Sequence, residues 1–203
     1  MPQVPGHGFQ GRDMRSHAGT AGPKEAPVRR LPLPMILALL AAAAPGCASK
    51  PAVPPDGFLV AHAVEIGASP DVVYAALGKI DRWWDDEHTW SGSARNLTLD
   101  LQAGGCMCER WESGSVEHAR VVAAQPGQLL RLHGALGPLQ ELAVSGSLSF
   151  ALQAEGAGTK LTLTYRVSGD SQHGLDTLKG VVGSVMEAQV ERLMKFVETG
   201  RPA

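Results

Sequence analysis

Apolar and polar residues alternate along much of the chain after residue 57. A period of two is typical of β-strands with one buried face. It is clearest over residues 97–102 and 161–167, where leucines alternate with threonine, aspartate, glutamine or arginine. Glycine, proline and serine separate the alternating segments, which indicates turns between strands. Further strands are predicted over residues 58–66, 106–112, 116–124, 129–133 and 147–153.

Helical signals occur at two places. Ser69-Pro70-Asp71 combines a capping residue, a proline suited to the first helical position and an acid suited to the positive end of the helix dipole. A second short helix is predicted over residues 80–85. Apolar residues then recur at the helical period from Leu175 to Thr199, and Gly200 ends this long helix.

The order of elements predicts an α+β fold. One strand precedes two short helices, about six strands and one long helix, which suggests a curved antiparallel sheet of about six to seven strands. An antiparallel sheet needs a cover on its apolar face, and only the terminal helix is long enough to provide it. Space between that helix and the sheet is the expected place for function.

The first 56 residues have a different character. Residues 1–30 are rich in glycine and proline without periodicity, so we expect them to be disordered. Arg29 and Arg30 precede the apolar run Met35–Ala44, which is too short to span a bilayer and has the layout of an export signal within residues 31–47. Residues 48–56 form a proline-rich linker, and the folded domain covers residues 57–200.

The small residues before Cys47 resemble a bacterial lipobox. That resemblance implies that Cys47 is acylated and that the protein is a membrane-anchored lipoprotein of the cell envelope. Ordinary cleavage near Gly46 or Ala48, which would release a periplasmic or secreted protein, and a cytoplasmic protein with a misassigned start are the alternatives. Five basic and two acidic residues precede Cys47, which leaves a net charge of −5 for the remainder. This charge disfavours nucleic acid as a partner.

Several motifs of the folded part resemble the SRPBCC superfamily of START and polyketide-cyclase domains. They are the helix entry Ser-Pro-Asp-Val-Val-Tyr (69–74), Trp83-Trp84, Gly-Gly-Cys-Met-Cys-Glu (104–109), Gly-Pro-Leu (137–139) and Gly-Thr-Lys-Leu-Thr-Leu-Thr-Tyr (158–165). The similarity is greatest to the branch of polyketide cyclases and activators of heat-shock ATPase. It implies a helix-grip fold with a cavity for an apolar or aromatic small molecule, in a superfamily of widely differing functions.

Cys106 and Cys108 are the most distinctive chemical feature. Two positions apart on a strand, they point to the same face. They are interpreted as small core residues, with a redox or disulfide pair and a metal site as alternatives. A metal site would need further ligands such as His133 or His118, and no second cysteine pair exists, so we predict no metal and no cofactor.

The leading hypothesis is a binding or carrier domain for an apolar small molecule, with no confident catalytic residue. A cyclase- or hydrolase-like enzyme using His133 and a cell-envelope interaction protein without a ligand are the alternatives. Membrane attachment is expected only through the lipid anchor. The predicted cavity residues are Trp84, Trp90, Cys106, Cys108, Leu148, Phe150, Tyr165, Val182, Val185 and Met186.

Overall fold

The computed structural model describes residues 57–202, which form seven strands and two α-helices. Short 3-10 turns lie between them, three of them within residues 80–96. The strands are β1 (Gly57–Ile66), β2 (Leu97–Leu99), β3 (Cys106–Trp111), β4 (Gly114–Gln125), β5 (Leu129–His133), β6 (Ser145–Glu155) and β7 (Gly158–Ser168). The helices are α1 (Pro70–Leu77) and α2 (Leu175–Thr199).

All seven strands belong to one antiparallel sheet in the order β1-β7-β6-β5-β4-β3-β2. Strand β1 therefore forms one edge of the sheet, next to β7, and the short β2 forms the opposite edge. The predicted helix-grip fold is confirmed. The short helix predicted over residues 80–85 is a 3-10 turn at Ile80–Arg82, because the chain turns again after Trp83.

The inner face of the sheet is the one that α2 covers. One row of paired residues across it runs from Val121 through Leu132, Leu148 and Tyr165 to Val60, and each is at most 5% exposed. The helix approaches this row closely, since a Cβ on Gly183 would lie 3.6 Å from a methyl group of Val60. The core of the domain thus lies between the sheet and α2.

The outer face of the sheet carries the neighbouring row. Arg120, His133, Ser147 and Arg166 pair across it, and all except the half-buried Ser147 are exposed. Cys106 pairs with Arg120 and therefore also belongs to the outer face. The alternation of apolar and polar residues along the strands produces this division.

A β-bulge interrupts the pairing of β3 with β4. Met107 opposes Ala119, whereas Cys108 opposes Glu117, so His118 is the extra residue of the longer strand. His118 and Ala119 are both buried although they are consecutive. A bulge redirects side chains in this way, and here it turns the histidine inward.

The predicted export signal, the lipobox at Cys47 and the proline-rich linker lie outside the described residues. Among residues 57–202, no helix has the length and apolar character needed to cross a membrane.

Candidate functional site

Tyr74 places an unpartnered hydroxyl group inside the domain. It lies on α1, is 6% exposed, and its Oη atom has no hydrogen-bond partner among residues 57–202. Burial raises the pKa of this phenol, so the hydroxyl stays protonated at neutral pH. A buried hydroxyl without a partner is costly in a folded protein, and such an atom calls for a water molecule or a ligand.

Tyr165 is a useful contrast to Tyr74. It lies on the inner face of β7 and is fully buried, but its hydroxyl accepts a hydrogen bond from the backbone N–H of Leu136 (2.9 Å) and donates one to the carbonyl of Gly134 (3.2 Å). Burial raises its pKa to about 12, although the bond from Leu136 acts in the opposite direction. Tyr165 therefore holds the loop after β5, and its hydroxyl is not available to a ligand.

His62 supplies a second unpartnered polar atom. It pairs with Leu163, which is fully buried, so its side chain lies on the inner face of β1. Its Nε2 atom is buried and has no hydrogen-bond partner in the described part of the chain. Tyr74 on α1 and His62 on β1 thus each carry a buried polar atom without a partner among the described residues.

Glu109 and His118 form a buried polar pair on the inner face. The carboxylate of Glu109 is inaccessible to solvent, and its Oε2 lies 2.9 Å from Nε2 of His118. The same carboxylate accepts hydrogen bonds from the backbone N–H groups of Trp90 (3.0 Å) and Ser91 (2.6 Å). Within residues 57–202, the His118 ring makes no other hydrogen bond.

These bonds determine the ionisation of Glu109. Burial alone would raise the pKa of this carboxyl, but hydrogen bonds from Ser91, Trp90 and His118 outweigh burial and lower it below its usual value. Glu109 is therefore a carboxylate at neutral pH. It ties the loop at residues 90–91 to the sheet.

Helix α2 fixes the other end of this loop. Oε1 of the fully buried Gln189 accepts a hydrogen bond from the backbone N–H of Asp85, and its amide nitrogen lies 3.1 Å from the His88 ring. Arg192 donates to the carbonyl of Trp83 and lies 3.7 Å from the Asp85 carboxylate. The loop from residue 83 to 96, which we call the lid, is therefore held by polar contacts at both ends.

The two halves of α2 are packed differently. Beyond Leu175, none of residues 176–185 is fully buried, and Val181 is 67% exposed. The second half buries five side chains: Met186, Gln189, Val190, Leu193 and Phe196. Residues 176–185 contact the core only through half-buried side chains, and we call them the loosely packed half of the helix, although Gly183 within it lies against Val60.

A cleft of about 660 Å³ lies at the β2 edge of the sheet. Its wall includes the charged residues Asp81, Arg95, Asp100 and Arg110, together with Gly105 and Cys106. Cys106 and Cys108 are joined by a disulfide on the outer face, and Glu117 lies beside them with its ligand atom within 4.8 Å of the sulfurs. Joined to each other, the sulfurs are not free to act as thiolate ligands for a metal.

The predicted cavity residues fall into three groups. Leu148, Phe150, Tyr165 and Met186 are buried between the sheet and α2, with Val182 and Val185 half-buried beside them. Trp84 is buried in the lid, where its indole N–H donates to the carbonyl of His88, whereas Trp90 is 45% exposed. Neither the edge cleft nor a smaller one near Gly67 is lined by residues of the first group.

Cys106, Cys108 and His133 lie on the outer face, so the structure does not place them with the first group. The expectation that they face the inside is corrected, because the inward positions of β3 are Met107 and Glu109. His133 is exposed and its Nε2 lies 2.8 Å from the hydroxyl of Ser145. The interpretation of the cysteines as core residues gives way to their alternative as a disulfide pair.

Sequence reasoning missed the roles of Glu109, His118 and Tyr74. Strand alternation puts Glu109 on the face opposite the cysteines, and the structure shows that this face is the inner one. His118 depends on a bulge that strict alternation does not predict. The sequence indicated that Tyr74 is buried, because it follows the apolar positions of the first helix. It did not indicate that the hydroxyl lacks a partner among the described residues.

The comparisons with solved structures agree with this fold. The chain is similar to DynU16, a protein of the dynemicin biosynthetic locus, at 20% identity and TM-score 0.50, over 73% of this chain and 49% of that one. It is also similar to the Aha1 dimer of Colwellia psychrerythraea (19% identity, TM-score 0.47, 70% of this chain and 98% of that one). A third similarity is to the ARO/CYC di-domain StfQ of the steffimycin pathway (12% identity, TM-score 0.49, 70% and 51%). No protein-family model and no curated protein matches the chain.

Proposed function

We propose that this helix-grip domain binds an apolar or aromatic small molecule between its sheet and its helices, as a member of the superfamily that its motifs resemble. The observation that carries the proposal is the buried hydroxyl of Tyr74, which has no partner in an apolar environment. The ligand supplies that partner, and His62 offers a second polar contact. Burial of apolar area provides the driving force.

Entry of a ligand requires movement, because the inner layer is filled by its own side chains. The loosely packed first half of α2 is the part that yields at least cost, since few buried contacts must be broken there. The second half, which holds the lid through Gln189 and Arg192, stays in place. We therefore propose that the ligand enters beneath residues 176–185.

The predicted export signal and linker at residues 31–56 add a cellular location to this proposal. Export by the signal at residues 31–47 and acylation of Cys47 would hold the domain on a bacterial membrane through the linker at residues 48–56. In that setting the domain carries or stores a molecule that is poorly soluble in water. Labelling with a radioactive fatty acid tests the anchor, and it should be lost in Cys47→Ser.

An apolar fluorescent dye tests the binding site. The full chain should bind the dye at one saturable site, and Tyr74→Phe should change the affinity only for dyes that carry a hydrogen-bonding group, by about five- to tenfold. The control is Tyr165→Phe, whose hydroxyl is already engaged. Failure to bind any apolar dye, or equal behaviour of the two variants, would contradict the proposal.

A second candidate, an enzyme of the cyclase or hydrolase kind, is favoured by one observation. Glu109 and His118 form an inward-facing acid–histidine pair, the arrangement that orients an imidazole as a general base. His118 replaces His133 as the candidate residue. Conversion of a bound molecule to a product of different mass, lost in His118→Asn while binding persists, would establish the enzyme. An unchanged molecule supports the carrier.

A further inference from the structure

The disulfide between Cys106 and Cys108 lies at an irregular point of the sheet. Residues two apart on a regular strand have Cα atoms about 6.6 Å apart, whereas these two are separated by 5.3 Å. The register of β3 with β4 shifts between Met107 and Cys108. The bulge thus coincides with a Cα separation that suits a disulfide.

This disulfide contributes little as a structural staple. Stabilisation by a cross-link grows with the length of the loop that it closes, and this loop holds a single residue between the cysteines. Backbone pairing already fixes both ends, since Cys106 pairs with Arg120 and Cys108 with Thr98 and Glu117. The cross-link therefore adds little to the stability of the folded chain.

One of its two sulfur atoms is open to attack. Cys106 is half-buried and lines the edge cleft, next to Gly105, which has no side chain to obstruct the approach. Cys108 is 6% exposed and does not line the cleft. This asymmetry selects Cys106 as the sulfur that is attacked and Cys108 as the leaving group.

Charges of both signs surround the accessible sulfur. Arg110 lies on the same face of β3 and in the cleft wall with Arg95, and cationic groups favour thiolates. Arg120 is engaged by Glu117 and by the carbonyl of Gly104. Asp81 and Asp100 complete the wall, so the cleft offers partners for the carboxylate and the ammonium group of an amino-acid thiol.

We propose that Cys106–Cys108 is a redox-active disulfide that exchanges with small zwitterionic thiols of the cysteine or glutathione type. The thiolate of the small molecule attacks Sγ of Cys106, the bond between the protein sulfurs breaks, and Cys108 leaves as a thiolate that takes a proton from water. A second small thiolate then attacks the sulfur of the small molecule that is bound to Cys106, and Cys106 leaves as a thiolate.

The two steps balance as a two-electron exchange. The protein disulfide is reduced to two thiols, and two small thiols are oxidised to one small disulfide. The reverse sequence reoxidises the protein. The disulfide lies on the outer face and at the sheet edge. A test of its redox role is therefore independent of ligand binding in the inner layer.

Equilibration with glutathione tests the proposal on the full chain carrying Cys47→Ser, which removes the third thiol. Acid quenching, alkylation and peptide mass spectrometry report each cysteine. The native protein should be reduced at least about tenfold faster than the same chain unfolded in guanidinium. Glutathione disulfide should transfer one glutathionyl group to the free thiol of Cys106 in Cys108→Ser, with release of one reduced glutathione, and to Cys108 in Cys106→Ser at least about tenfold more slowly.

Two controls distinguish a redox role of the disulfide from a stabilising role and from a general effect of positive charge. Arg110→Ala should slow reduction about threefold, whereas Arg131→Ala, elsewhere on the outer face, should not change it. The double variant Cys106→Ala/Cys108→Ala should keep its midpoint of thermal unfolding within about 3 °C. A large fall in that midpoint, no adduct on Cys106, or reduction no faster than in the unfolded chain would overturn the proposal.

Discussion

At the scale of single residues, two buried tyrosines have opposite relations to their surroundings. The hydroxyl of Tyr165 has a donor and an acceptor, and that of Tyr74 has neither. An unpaired buried hydroxyl opposes folding, whereas a paired one supports it by about 1 kcal/mol. The hydroxyl of Tyr74 therefore contributes nothing to stability through hydrogen bonds within residues 57–202.

Removal of each hydroxyl should therefore change stability in opposite directions. Tyr74→Phe in the empty protein should leave the free energy of unfolding unchanged or raise it by up to about 1 kcal/mol, while Tyr165→Phe should lower it by about 1–2 kcal/mol. Urea unfolding measures both. Destabilisation by Tyr74→Phe equal to that by Tyr165→Phe would mean that the Tyr74 hydroxyl has a partner within the protein.

Glu109 makes the stability of the domain depend on pH. Its pKa is lowered in the folded state, so its contribution is complete above the unfolded value of about 4.3 and is lost as pH falls through the folded value. Stability should decline below about pH 4. Glu109→Gln should flatten this part of the profile, measured by urea unfolding between pH 2.5 and 7.

The size of the effect distinguishes a buried pair from a surface pair. Glu109→Ala leaves His118 and two backbone N–H groups without their partner and should cost about 3 kcal/mol at neutral pH. Glu117→Ala, which breaks the exposed pair with Arg120, should cost about 0.5 kcal/mol. Equal losses would show that Glu109 is not the anchor of the lid.

At the scale of elements, α2 combines a fixed half with a loose one. Gly180 lies in the loose half with open space around its Cβ position and without a positive φ angle. Gly180→Ala should therefore raise the free energy of unfolding by about 0.5–1 kcal/mol through helix propensity alone. If ligands enter beneath this segment, the same change should slow dye association severalfold.

A control variant distinguishes the effect of helix propensity on stability from an effect on the rate at which the ligand enters. Glu187→Ala changes an exposed residue two positions past this segment, so it should alter the free energy of unfolding by less than about 0.5 kcal/mol and leave the association rate unchanged. Stopped-flow fluorescence measures association. If Gly180→Ala stabilises the helix but leaves the association rate unchanged, entry takes place elsewhere.

The elements themselves were predictable from the pattern of the sequence, and their faces only in part. Alternation, apolar stretches and turn residues together predicted all seven strands, and the helical period predicted α2 with its observed bounds. Alternation also separates Cys106 and Cys108 from Glu109, but it fixes only which residues share a face. Which face turns inward depends on the partner strands, whose leucines define the core, and on the bulge at His118.

The lid was the least predictable part of the chain. Asp85 caps its 3-10 turn at Asp86–His88, and its position depends on contacts with residues about 100 positions later, Gln189 and Arg192. Such long-range polar contacts leave no local periodicity in the sequence. For the same reason, the burial of Trp84 and the exposure of Trp90 could not be told apart in advance.

At the scale of the whole molecule, the two proposed sites lie on opposite sides of one sheet. The inner side is apolar with the orphaned polar atoms of Tyr74 and His62, and the proposed occupant is an apolar molecule. The outer side and the β2 edge are charged and carry the disulfide, where the proposed reaction involves polar thiols. Anchoring through Cys47 would present both sites outside the cytoplasm, where disulfides persist.

Native mass spectrometry of the full protein purified from its natural host tests the central claim most directly. The account predicts a defined mass above that of the polypeptide and its lipid, which organic extraction releases as an apolar or aromatic molecule, and which is less abundant on Tyr74→Phe. A protein that is empty as isolated and that also fails to bind apolar dyes would contradict the claim. The orphaned hydroxyl would then lack the ligand on which the proposed function rests.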